Sequence, residues 1–117
     1  MKLAEYHKTV KAAKPAKYRN KRTVVDGIAF ASRREAKRYG ELQLLAKFGD
    51  VRDLRLQVSY DLHAAGGERV ARYVADFVYR DREGTEVVED AKGVKTPVYA
   101  LKRRWMRAEY GIEIVEV

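Results

Sequence analysis

Apolar and polar positions alternate along three runs of the chain, which is the pattern of strands buried on one face. The alternation is unbroken in residues 54–62, returns in residues 73–79 and resumes in residues 86–92. The last two runs are separated by a five-residue turn sequence at residues 81–85, which predicts an antiparallel hairpin. We therefore expect three consecutive strands joined by tight turns.

The register of this hairpin decides which charged side chains face one another. If Arg80 pairs with Glu86 across the loop, Asp76 lies opposite Asp90. A shift of one residue would place Glu89 opposite Asp76 instead. We favour the first register, because a lysine two residues after Asp90 then shares its face.

A helix is predicted to precede these strands. Ser32 and Glu35 have the spacing of a capping box, and Gly49 is suited to end the helix that follows. Gly40 lies in the middle of this helix at a cost of about 1 kcal/mol relative to alanine, which suggests close packing. The apolar positions at helical spacing are Tyr39, Leu42, Leu45, Ala46 and Phe48.

A second helix is predicted after the hairpin. Thr96 can cap it, Pro97 suits its first position, and Gly111 follows its expected last residue, Tyr110. Residues 112–117 alternate again and predict a terminal strand. The positions expected to form the buried face of the second helix are Val98, Leu101, Trp105 and Ala108.

The order of these elements predicts the class of fold. An AspGly pair within residues 24–30 adds a small edge hairpin before the first helix. The order helix, three strands, helix, strand then predicts a single α/β domain over residues 23–117. Because a strand that follows a crossover helix lies parallel to the strand before it, the sheet should be mixed.

Basic residues are concentrated in residues 1–22, which carry eight Lys or Arg and one Glu, although the whole chain has a net charge of +8. We interpret this segment as a flexible basic arm. It either clamps nucleic-acid phosphates or serves as a solubilising tail, and composition does not decide between them. The residues of the arm that we expect to contact nucleic acid are Lys17, Arg19, Lys21 and Arg22.

Composition limits the classes of protein to consider. A hydrophobic fraction of 46% supports a core in a chain of 117 residues. No apolar run is long enough to span a bilayer, so we expect no membrane partner. The absence of cysteine excludes disulfides and zinc–thiolate sites, and it is compatible with the cytoplasm.

Two carboxylates that face each other on one sheet face repel, and cross-strand like charges destabilise a sheet. A cation bound between Asp76 and Asp90 would reverse this effect, and Mg²⁺ prefers such oxygen ligands. Lys92 adds a positive charge on the same face. A surface cluster of salt bridges would explain the same residues without chemistry, and spacing alone favours that interpretation.

The order of elements together with these residues resembles the PD-(D/E)XK nuclease superfamily. The matching motif is an aspartate on the second core strand, here Asp76, followed by Asp90-Ala91-Lys92 on the third. Ser32 and Glu35 resemble the start of the first helix in archaeal Holliday-junction resolvases and the endonuclease subunit of Tn7-type transposases. More closely, residues 17–117 resemble a phage and prophage family of predicted nucleases, DUF1064.

This resemblance implies a restriction-endonuclease-like domain with an α-β-β-β-α-β core and assigns roles to individual residues. Asp76 and Asp90 would be metal ligands, and Glu35 a third, although the capping box alone accounts for Glu35. Lys92 would be the catalytic lysine, and Lys102 a phosphate contact. Mg²⁺ would be the cofactor, with Mn²⁺ able to substitute. The implied catalytic residues are Glu35, Asp76, Asp90 and Lys92.

The function implied by the resemblance is an endodeoxyribonuclease that hydrolyses DNA phosphodiesters by metal-activated water. It would be encoded by a phage or prophage, act in the cytoplasm of the bacterial host, form a homodimer, and cut branched or junction DNA. The alternative is a noncatalytic DNA-binding or recombination accessory module on a nuclease fold. The sequence leaves open whether RNA is the substrate and whether a partner protein supplies targeting.

Overall fold

The computed structural model describes residues 22–117. The basic arm, and with it Lys17, Arg19 and Lys21, lies outside the described residues. Arg22 is the first residue described; it precedes the first strand and is half-buried. The elements in chain order are β1 (Thr23–Val25), β2 (Ile28–Phe30), α1 (Arg33–Lys47), β3 (Arg52–His63), β4 (Arg69–Arg80), β5 (Glu86–Asp90), α2 (Pro97–Tyr110) and β6 (Val115–Glu116).

A four-stranded mixed sheet forms the centre of the domain, in the order β3-β4-β5-β6. β4 pairs antiparallel with β3 and with β5, whereas β5 and β6 are parallel. The predicted single α/β domain and its mixed sheet are confirmed. The predicted terminal strand is shorter than expected, because only Val115 and Glu116 of residues 112–117 pair with β5.

The short hairpin before the sheet also follows the prediction. β1 and β2 pair antiparallel in a separate two-stranded sheet. Asp26 and Gly27 between them have φ of 53° and 77°. A two-residue hairpin turn of this hand requires positive φ at both positions, which explains the AspGly pair.

The caps predicted for both helices are formed. The Ser32 side chain accepts a hydrogen bond from the Glu35 amide at 3.1 Å, and the Thr96 side chain accepts one from the Tyr99 amide at 3.1 Å. Gly111 ends α2 in the left-handed region with φ of 69°.

Each helix packs on its own face of the sheet. Ala36, Tyr39 and Leu42 of α1 pack in one buried cluster with Phe77 and Tyr79 of β4. Val78, which alternates with these two residues, belongs to a second cluster that also contains residues of α2. Because neighbouring side chains of a strand point to opposite faces, α1 and α2 lie on opposite faces of the sheet.

The buried face predicted for α2 is wrong. Tyr99 and Met106 are its buried residues, whereas Val98 is 61% exposed and Leu101 52% exposed. Trp105 is half-buried at the edge of the core, and Ala108 is exposed. Met106 packs under the helix with Val88 and Ile114, so the sheet selects a different stripe of the helix.

Two expectations for α1 also need correction. Phe48 is exposed, because the helix ends at Lys47 and Phe48 is its C-cap. Ala46 is exposed within the helix, outside its buried stripe of Ala36, Tyr39 and Leu42. Gly40 is exposed, and no described heavy atom lies within 4 Å of the position that a Cβ would occupy there. Close packing therefore does not explain this glycine.

The side-chain alternation of β3 and β4 slips by one residue at the same level in both strands. Leu56 and its partner Phe77 pack on the α1 side, whereas Val58 and its partner Ala75 pack on the α2 side. Residues two apart should share a face, so the slip lies at the intervening residue. That residue is Gln57 in β3, whose φ is 53°.

Candidate functional site

Three carboxylates from three elements converge beside this slip. Glu35 lies in the first turn of α1, Asp76 in β4 next to the slipped position, and Asp90 at the end of β5. Glu35 is 7% exposed and Asp90 is 3% exposed. Asp76 lies close enough to both other carboxyl groups to influence their pKa values. The structure therefore brings together all three predicted acidic residues.

The predicted register of the hairpin is confirmed. Arg80 pairs with Glu86, and the ladder continues to the pair Phe77 and Glu89. The next level therefore contains Asp76 and Asp90. Beyond the ladder, Asp76 Oδ2 accepts a hydrogen bond from the Ala91 amide at 2.9 Å, which ties the chain just after β5 to β4.

Glu89 points to the α1 side and is not a partner of Asp76. Arg38 Nε donates to Glu89 Oε1 at 2.8 Å, and Arg38 Nη2 donates to Glu89 Oε2 at 2.7 Å. Tyr79 also donates its hydroxyl to Glu89 Oε2. Glu89 is 1% exposed, and both its oxygens are engaged in this ion pair. The alternative register with Glu89 in the site is not formed.

Lys92 lies beside the carboxylates, just after β5 ends. Its Nζ is 3.7 Å from Asp90 Oδ1 and 4.7 Å from the centroid of the Tyr99 ring. The Tyr73 hydroxyl donates to Asp90 Oδ2 at 2.6 Å. Asp90 is thus held between a tyrosine and a lysine, and Lys92 is held between Asp90 and an aromatic face.

Burial raises the pKa of each of the three carboxyl groups. Burial is the main cause for Asp90, whose pKa rises to about 6, with the charge of Asp76 adding to it. The pKa of Asp76 is raised by burial and then by the charge of Glu35. Burial also raises the pKa of Glu35, and hydrogen bonds from the Ala31 backbone and with Asp76 partly oppose it. The surroundings therefore oppose ionisation of all three carboxyl groups in the absence of a cation.

The donor set suits a hard divalent cation, because Mg²⁺ takes oxygen ligands and commonly one or two carboxylates. Within residues 22–117, however, no three Asp, Glu, His or Cys side chains are arranged as ligands of one metal ion. The carboxyl groups are directed at one another and at neighbouring donors. The metal therefore stays a prediction.

The residues predicted to contact nucleic acid are placed less clearly. Lys102 lies half-buried on α2, one turn after Tyr99. No hydrogen bond or ion pair joins it to another described residue. Arg22 has a buried Nε without a hydrogen-bond partner among residues 22–117. Neither observation tests a contact with phosphate.

Three residues of the site carried no clear signal in the sequence. Gln57 donates to two of the carboxylates, and Tyr73 and Tyr99 orient Asp90 and Lys92. Tyr73 and Tyr99 are also core residues, so the sequence pattern explains them by packing alone. The sequence leaves Gln57 equally open as a residue near the site and as a solvated strand residue, and its contacts decide for the site.

Comparison with known protein families places the chain. The family described as "Protein of unknown function (DUF1064)" matches residues 15–114. The chain belongs to this family. No curated protein and no solved structure matches it. Membership of DUF1064 thus carries no established activity.

Within residues 22–117, neither helix is long and apolar enough to cross a bilayer.

Proposed function

We propose that this DUF1064 protein is a Mg²⁺-dependent endodeoxyribonuclease of the PD-(D/E)XK superfamily. The observation that supports this proposal is the convergence of Glu35, Asp76 and Asp90 beside Lys92. Asp76 lies on β4, and Asp90 ends the adjacent antiparallel strand β5 with Lys92 just after it, which is the order of the superfamily motif. A cluster of surface salt bridges is a weaker explanation, because Glu35 and Asp90 are buried and, among residues 22–117, Lys92 is the one cation that forms an ion pair with either of them.

In this proposal Asp76, Asp90 and Glu35 hold the metal, and Mn²⁺ can replace Mg²⁺. A bound divalent cation would supply charge neutralisation at the scissile phosphate and a lower pKa for an attacking water. The pKa values of these carboxyl groups are raised mainly by burial and then by the neighbouring carboxylates, and a cation between them would stabilise their charged forms, which favours the proposal.

Lys92 is the proposed catalytic lysine. Its ammonium group lies at the open side of Asp90, with 31% of its side chain exposed. From there it can donate to a phosphate oxygen or orient a water molecule, which stabilises the charge that develops in the transition state. Asp90 and the Tyr99 ring hold the ammonium in this position.

The resemblance adds expectations about the biological setting. We propose DNA as the substrate, with branched or junction DNA preferred, and a homodimer that places two sites on two strands. The basic arm, Arg22 and Lys102 would contact phosphates. A phage or prophage origin and action in the cytoplasm of the bacterial host belong to the same proposal.

The test is cleavage by the purified full chain of plasmid, linear and four-way-junction DNA and of RNA, with Mg²⁺, Mn²⁺ or EDTA. We expect metal-dependent DNA cleavage that is lost in Asp76→Asn, Asp90→Asn and Lys92→Met. Asp61→Asn removes an exposed carboxylate of the same sheet and should cleave normally.

Two results would contradict the proposal. One is the absence of cleavage with either metal. The other is cleavage by Asp76→Asn at the rate of the unmodified protein. DNA binding without cleavage would favour the noncatalytic accessory module, and cleavage of RNA alone would change the substrate.

A further inference from the structure

Gln57 occupies an unusual backbone position at the centre of the candidate site. It lies in β3 across from Asp76, between the paired residues Leu56–Phe77 and Val58–Ala75. Its φ of 53° is in the left-handed region, where residues with a Cβ meet a steric cost that glycine avoids. The backbone conformation therefore does not favour glutamine here, and any advantage of this residue must come from its side chain.

The side-chain amide of Gln57 joins two of the three carboxylates. Its Nε2 donates to Glu35 Oε2 at 2.8 Å and to Asp76 Oδ1 at 3.2 Å. An amide nitrogen has two hydrogens, so it can serve both acceptors at once. Glu35 belongs to α1 and Asp76 to β4, and the amide thus links the helix to the sheet at the site itself.

Gln57 contacts oxygens of Glu35 and Asp76 that the Ala91 amide does not engage. Asp76 Oδ2 is occupied by the Ala91 amide, so its Oδ1 is the oxygen that faces the glutamine. For Glu35, burial removes water that would otherwise solvate the carboxylate. A neutral donor between two carboxylates stabilises the charge of both without cancelling the charge that would attract a cation.

The main alternative is an exposed polar residue whose contacts are incidental. Gln57 is indeed exposed on its strand, as are Arg55 and Ser59 on either side. Arg55, however, pairs with Glu86, outside the site. Of these three residues, Gln57 alone has positive φ and contacts the carboxylates. These two features coincide with the level at which the alternation of both strands slips.

We propose that Gln57 is a positioning residue that holds Glu35 and Asp76 side by side as ligands for the divalent cation. This inference rests on the proposed nuclease function. It assigns Gln57 no contact with the substrate and no part in proton transfer. Removal of a neighbour that orients a metal ligand typically lowers metal affinity or activity 10- to 100-fold.

The test compares Gln57→Leu, Gln57→Glu and Gln57→Gly with the control Ser59→Ala. Leu removes the donor, Glu replaces the amide by a group that cannot donate when ionised, and Gly removes the side chain while relieving the backbone. We expect all three to weaken Mn²⁺ binding, measured by calorimetry, about 10-fold or more and to lower kcat with little change in KM for DNA. Ser59→Ala should match the unmodified protein.

Stability separates this role from a structural one. Gln57→Gly is expected to resist urea better than Gln57→Leu, because glycine adopts positive φ freely. If the residue served only the fold, metal binding and cleavage would follow this order of stability. We expect instead that Gln57→Gly is as impaired in metal binding as Gln57→Leu. Metal binding and kcat at the level of the Ser59→Ala control in both variants would overturn the proposal.

A double-mutant cycle keeps the inference testable if the unmodified protein proves inactive. Gln57→Leu changes the unfolding equilibrium constant by some factor, which is measured in EDTA at pH 8 in the unmodified protein and in an Asp76→Asn background. We expect this factor to be at least 3-fold smaller in the Asp76→Asn background. Equal changes in both backgrounds would show that Gln57 does not couple to Asp76 and would overturn the inference. Absence of cleavage together with a measurable coupling would reject only the nuclease function.

Discussion

Replacement of Asp90 by asparagine is expected to stabilise the protein in the absence of metal at neutral and alkaline pH. Asp90 is 3% exposed and lies beside Asp76, and these surroundings raise its pKa from an ordinary 3.8 to about 6. The folded protein therefore opposes ionisation of this group. Asparagine has nearly the same shape and carries no charge, so it avoids this cost.

The magnitude follows from the pKa. One pKa unit corresponds to about 1.4 kcal/mol, so ionising Asp90 in the fold costs about 3 kcal/mol more than in the unfolded chain. The attraction of Lys92, 3.7 Å away, already lowers this pKa, so the cost of about 3 kcal/mol is net of that ion pair. Asparagine keeps an oxygen for the Tyr73 hydroxyl. We expect a net gain of about 2–3 kcal/mol.

The dependence on pH has a definite sign. Below about pH 4 Asp90 is protonated in the folded and the unfolded protein, and aspartate and asparagine should differ little. As the pH rises from about 4 to about 6, the unfolded chain ionises first and the unmodified protein loses stability. The advantage of Asp90→Asn should therefore develop across this interval and stay constant above it.

The assay is urea unfolding in EDTA between pH 4 and pH 8.5, with Asp61→Asn as the matched control. Arg72 and Arg69 lower the pKa of the exposed Asp61, so its replacement should destabilise at pH 8, in the opposite direction. The reasoning is refuted if Asp90→Asn is no more stable than the unmodified protein at pH 8, or if its advantage is independent of pH. If the metal proposal is correct, Mg²⁺ will stabilise the unmodified protein more than Asp90→Asn.

Three further predictions concern stability and positioning. Glu89→Ala should destabilise by about 2–4 kcal/mol in urea unfolding, because it removes the buried partner of Arg38 and leaves the guanidinium only the exposed Glu41. The double variant Glu89→Leu with Arg38→Met should recover part of this loss, and no recovery would argue against an ion-pair origin. Gly40→Ala should raise stability by about 0.5–1 kcal/mol in thermal unfolding, because alanine favours the helix and its Cβ meets no described atom within 4 Å. A loss of stability would contradict this expectation. If cleavage is established, Tyr99→Leu should lower kcat about 2- to 5-fold, because it removes the aromatic face under Lys92. Tyr99→Phe keeps the ring and should keep the kcat of the unmodified protein. Equal kcat values for the two variants would show that the ring does not support Lys92.

The local signals in the sequence were sufficient for most element boundaries. Capping residues satisfy backbone groups at helix ends, so Ser32, Thr96 and Gly111 mark those ends wherever the helices pack. The hairpin register could likewise be predicted, because the turn between Arg80 and Glu86 sets which residues pair.

The orientation of α2 could not be predicted in the same way. Its apolar residues lie on more than one stripe, and Tyr99 with Met106 competes with Val98 and Leu101 for burial. The stripe that is buried depends on the shape of the sheet surface under the helix. Long basic side chains add to the ambiguity, since their stems can cover apolar surface while their charged ends reach solvent.

Glu89 and Asp90 show the same limit within the candidate site. They are adjacent acidic residues with almost the same sequence environment, yet one is neutralised by Arg38 and the other faces Asp76. Their position in the register determines which face each occupies. The presence of Arg38 on the α1 face depends on how that helix docks.

The sequence by itself determined the class of fold, the ends of both helices, and the hairpin register that leads to the level of Asp76 and Asp90, because caps, turns and alternation act between residues close in the chain. Only the tertiary structure decided that Glu35 and Gln57 join these aspartates. Their contact depends on the docking of α1 and on the slip in strand alternation. Both arise from packing between segments far apart in sequence, for which the order of residues carries no local signal.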